Sequence, residues 1–114
     1  MKLNVLERIL LPQMVKTAIK QGSLIEMMSV EHIIKKIGFT ENEISDYNLK
    51  TANDGTITWS PEKVTELDVE FTKEQQALLN KVVDYFDSNK LIELNMITLI
   101  MKIKEFSCDE ESSN

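Results

Sequence analysis

Four times along this chain a short oxygen-bearing side chain stands three positions before Glu or Gln and opens a helically spaced apolar run: Asn4 with Glu7, Ser23 with Glu26, Thr40 with Glu43 and Thr72 with Gln75. In such a pair the first side chain accepts from the N–H three residues on. The second reaches back to the first residue's own N–H, so the two together fix where a helix begins. Four fixed starts in 114 residues confine the chain to a largely helical class.

Each start leads into a readable face. Val5, Leu6, Ile9, Leu10, Met14, Val15, Ala18 and Ile19 predict a first helix ending at Gly22, with Pro12 inside it. A proline there lacks the N–H and clashes with the preceding turn, which is expected to kink the helix or divide it in two. Met27, Val30, Ile33, Ile34 and Ile37 predict a second helix stopping at Gly38, a typical place for a left-handed residue. The third start opens a short helix carrying Ile44 and running out near Asp46. The fourth presents Leu78, Leu79, Val82, Val83 and Phe86 and closes at Asp87-Ser88-Asn89. A last helix is expected from about Glu93 to Phe106 with Leu94, Ile97, Ile100, Met101 and Ile103 inward.

Between the third and fourth starts the period drops to two. Tyr47 and Leu49 alternate with polar residues, Asn53-Asp54-Gly55 supplies left-handed turn chemistry, and Ile57 and Trp59 alternate beyond it, which predicts a β-hairpin. Ser60-Pro61-Glu62 reads as a cap with proline at the first helical position. Leu67, Val69 and Phe71 alternate with acids, as in a strand with one wet face. The expected fold is therefore α+β: about four helices packed with a small two- or three-stranded antiparallel sheet. It forms a single domain over residues 1–106, followed by a disordered acidic tail over 107–114.

Charge narrows the function classes. The net −6 is unevenly placed: residues 1–38 carry +3 and the remainder −9. Phosphate backbones are repelled by such a chain unless one face segregates its lysines. An ordinary solvated surface explains the acids more simply than an acidic nucleic-acid mimic, which needs them lined up on one face. No apolar run reaches the ~20 residues of a membrane span, and the first eleven residues lack a cleavage-site pattern, so the expected compartment is the cytoplasm. The lone Cys108 excludes an internal disulfide.

The opening Leu3-Asn4-Val5-Leu6-Glu7-Arg8-Ile9-Leu10-Leu11, the central Asp54-Gly55-Thr56-Ile57-Thr58-Trp59-Ser60-Pro61 and the two closing helices resemble small uncharacterised proteins of bacteriophages and prophages, over most of residues 3–106. The resemblance implies a phage or prophage origin and no known activity, so it assigns no functional residue.

The residues offer little for chemistry. A structural zinc needs four Cys or His ligands, and only His32 and Cys108 are present. No acidic loop has the spacing of a calcium-binding hand, and glycines at 22, 38 and 55 alone leave no phosphate-cradling loop. His32 lies one residue off the second helix's apolar stripe with no evident nucleophile beside it. No catalytic, cofactor or metal residue is therefore expected. The order of helices and hairpin over residues 4–59 mimics a winged helix-turn-helix, but its recognition helix would carry Glu41, Glu43 and Asp46 and no basic residue. Lysines 16, 20, 35 and 36 are the alternative route to nucleic acid. The expected function is non-catalytic protein–protein interaction, with a homodimer as one form of it. Trp59, Met27 and Met28 are the candidate partner-binding residues, an aromatic anchor and two adaptable side chains. The alternative is a nucleic-acid-binding regulator with a degenerate winged-helix-like N-terminal half.

Overall fold

The computed structural model describes the backbone of residues 1–60 and 66–112 and the side chains through residue 105, apart from 61–65. The fold is α+β. Among the described residues are five helices, α1 (Val5–Ala18), α2 (Leu24–Ile37), α3 (Glu41–Asp46), α4 (Lys73–Ser88) and α5 (Ile97–Ser112), the last entered through a 3₁₀ turn at Leu94–Met96. The four strands are short: β1 (Lys2–Leu3), β2 (Lys50–Thr51), β3 (Ile57–Thr58) and β4 (Leu67–Asp68).

All four capping boxes form with both reciprocal bonds present, so α1 to α4 begin one residue after Asn4, Ser23, Thr40 and Thr72. Pro12 does not divide α1, which is one helix, and that helix stops at Ala18, short of the expected Gly22. A proline removes a single i→i−4 bond, and the buried Leu10, Leu11, Met14 and Val15 on either side hold the two halves in one core. Gly38 is extended at φ −64°, ψ 156° and not left-handed. The carbonyls at the end of α2 are satisfied from elsewhere: Arg8 Nε donates to Ile37 O at 3.0 Å and Arg8 Nη2 to Gly38 O at 2.7 Å.

The hairpin forms as its turn chemistry requires. Gly55 sits at φ +89°, Asp54 accepts from the Thr56 N–H, and β2 pairs antiparallel with β3 in the register Lys50 to Thr58. The expected single sheet is instead two separate two-stranded ribbons. Only Leu67–Asp68 of the alternating 67–71 run is strand, and it pairs with β1, an N-terminal strand absent from the sequence expectation. Two residues carry no period, and their partner lies more than sixty positions away, so neither local pattern nor turn chemistry announces the pair. The cap and helical turn expected at Pro61 and Glu62 lie outside the described residues.

The core gathers around α4, which packs against α1, α2 and α5. Its predicted face of Leu78, Leu79, Val82, Val83 and Phe86 is buried throughout. The last helix departs from its expected face. Met96, Leu99, Ile100 and Ile103 turn inward, while Leu94, Ile97 and Met101 remain exposed, Leu94 at 89%. The run 94–103 is apolar on two sides, and the stripe at i, i+3, i+4 and i+7 from Met96 fits against α4. α5 runs past Phe106 to Ser112.

Candidate interaction surface

Two groups of exposed apolar side chains stand on this scaffold. The first is on α2. Its buried face is Val30, Ile33 and Ile37, and the helix period sends Leu24, Ile25 and Met28 the other way, at 76%, 77% and 48% exposure. Leu24, Met28, Glu31 and Lys35 follow one another at three- and four-residue steps, with Met27 three positions from Leu24, and so form a continuous ridge. Beside that ridge, α1 and α2 leave a groove of about 600 Å³. Ile19, Met27, Val30 and Ile34 make its floor, and Lys16, Lys20 and Lys35 stand along it.

The ionic pattern of the groove is uneven. Lys35 is paired with Glu31 at 2.7 Å, one turn apart on α2, and the Lys35 ammonium holds the Glu31 carboxyl below the usual carboxylate range. Lys16 and Lys20 are exposed and have neither ion pair nor hydrogen bond among the described residues.

The second group is at the opposite end of the chain. Leu91, Ile92, Leu94, Ile97 and Met101 are exposed there, and Leu91 and Ile92 line a depression of about 530 Å³ floored by Leu10, Met14, Phe86 and Met96.

The candidate residues Met27 and Met28 thus fall in different settings on one helix. Met27 is half-buried in the groove floor and Met28 is exposed on the ridge. Trp59 is not brought to them: it follows β3 on the hairpin arm, half-buried, next to Ser60, whose N–H donates to Tyr47 O. Leu24 and Ile25 are absent from the sequence expectation. Their position off the Val30, Ile33 and Ile37 stripe was the available signal, because an apolar residue on the wrong side of a well-defined amphipathic helix has no core to enter.

Comparison with known protein families, curated proteins and solved structures finds no match.

Elsewhere the polar side chains serve the fold. Arg8, 2% exposed and the only arginine in the chain, forks onto Glu43 through Nη1 to Oε2 at 2.6 Å and Nη2 to Oε1 at 3.0 Å, and its guanidinium lies 4.1 Å over the Phe39 ring. The Arg8 hydrogen bonds pull the Glu43 carboxyl down to about 2. Glu7, fully buried, accepts from Lys102 Nζ at 2.7 Å, which ties α1 to α5. Glu43 therefore faces inward, and the exposed positions of α3 include Glu41 and Asp46. His32 is exposed on α2. Among the described residues no three His, Cys, Asp or Glu side chains converge as a metal site, and no helix is long and apolar enough to cross a membrane.

Proposed function

We propose that this chain is a non-catalytic protein–protein interaction module of the cytoplasm, an accessory protein of phage or prophage origin in keeping with its sequence resemblance. The observation that carries the reading is the ridge of α2. Leu24 and Ile25, each about three-quarters exposed, and Met28 sit on a regular, doubly capped helix and not on a loop tip. Single exposed apolar residues need no explanation, but three within five positions of one helix, whose Met27, Val30 and Ile34 line an apolar groove, match the way interaction patches are built. Methionine in and beside the groove adds an adaptable contact surface. The nucleic-acid reading draws less support, because the would-be recognition helix turns Glu43 to Arg8 and leaves Glu41 and Asp46 outward.

The test is an affinity capture run side by side with the wild-type chain and the variant Leu24→Ser/Ile25→Ser/Met28→Ser. A protein held by the wild type and lost by the variant is the expected result. A protein held equally by both, or none held by either, contradicts the reading.

A further inference from the structure

We propose that the α1/α2 groove receives an acidic amphipathic helix of a partner protein. This rests on the protein-binding reading above and names the partner's chemistry. The floor is apolar, so the occupant presents apolar side chains to it. The ridge from Leu24 to Lys35 spans twelve residues, a length of about 16 Å at helical rise. That length accommodates about three turns, the span over which a docked helix places anchors at i, i+3 or i+4, and i+7.

Charge decides the flanks. Lys16 and Lys20 lie four residues apart along the α1 side of the groove and have no partner within the described chain. With no acidic partner among the described residues, the two ammonium groups leave unmet positive potential beside the apolar floor. The residues beyond 38 carry net −9, and against that background the groove is where an acidic partner is steered and a basic one is not. A phosphate backbone would meet the same lysines but gains nothing from Ile19, Met27 and Ile34, whereas an amphipathic helix uses both features.

The probe is a displayed library of helix-biased peptides of about 20 residues, selected on the full chain near physiological salt. The selected sequences are expected to combine apolar residues at i, i+3 or i+4, and i+7 with Asp or Glu on the flanks. Their affinity should fall by roughly tenfold or more in Lys16→Glu/Lys20→Glu. Both lysines are exposed, so circular dichroism and the melting temperature of that variant should match wild type, and Lys73→Glu, remote in the sequence on α4, should bind as wild type does.

Basic selected peptides, no enrichment, or acidic peptides indifferent to the lysine variant overturn the inference. Peptides that lose binding in Leu94→Ser/Met101→Ser but not in Lys16→Glu/Lys20→Glu overturn it while leaving the protein-binding reading standing. A homodimer by light scattering that the lysine variant abolishes gives the groove to a second copy and overturns it too. Absence of any peptide binding, with duplex DNA bound by wild type and released by the lysine variant, overturns both readings.

Discussion

Arg8 shows how one residue joins three segments. Its guanidinium satisfies two carbonyls at the end of α2, grips Glu43 of α3 and stacks on Phe39, all from a position in the second turn of α1. A planar fork is needed for that set of contacts, which lysine does not provide. Arg8→Met should therefore cost about 3–5 kcal/mol in urea denaturation, the range for breaking a buried ion pair from one side. A cost typical of an exposed surface substitution, under about 0.5 kcal/mol, would contradict this assignment. Glu43 adds a pH signature. Its folded-state value of about 2 lies below the ordinary 4.5, so its contribution is complete above about pH 4.5 and is lost as the pH falls through about 2. Glu43→Gln should be less stable at neutral pH and lose less on acidification across that window. Melting temperatures of both proteins from pH 7 downward test this, and parallel acid limbs would count against it.

At the scale of elements, α5 is fastened to α1 by a side chain that is partly wet at one end and buried at the other. Lys102 donates to Glu7 Oε1 and to the carbonyl of Lys2, and Glu7 is fully buried with its second oxygen unpartnered among the described residues. Lys102→Met should cost about 2–3 kcal/mol, somewhat less than for a pair buried on both sides. An unchanged guanidinium midpoint would show that Glu7 finds compensation elsewhere. Pro12→Ala should raise stability by about 1–3 kcal/mol, since alanine restores an interior N–H to an already continuous α1. The helix starts were legible because a capping box is a local device, with both partners inside four residues. The hairpin was legible for the same reason. What the sequence hid is non-local: the β1 and β4 pairing, and the extended Gly38, whose carbonyl is met by an arginine thirty positions earlier. The exposed stripe of α5 was hidden differently, since Leu94, Ile97 and Met101 compete with Met96, Leu99, Ile100 and Ile103 for one core. Only the packing partner α4 decides between them.

Over the whole molecule, apolar and basic features coincide in the α1/α2 groove of an acidic protein. Met27 and Met28 were legible as candidates from composition alone. The ridge they share with Leu24, and the lysines across the groove, needed the helix pair to bring them together. Because those side chains are largely outside the core, Leu24→Ser/Ile25→Ser/Met28→Ser should keep the melting temperature within about 3 °C of wild type. A much larger drop would mean that they support the fold. The central claim, that the α2 ridge is where another protein docks, is tested most directly by photo-crosslinking. A photoreactive amino acid would be placed at position 28, and in a control at the exposed position 73 on α4, in cells that express the chain. A discrete crosslinked adduct with a second, different protein is expected from position 28 and none from position 73. The same adducts from both positions, or no adduct from position 28, would contradict it.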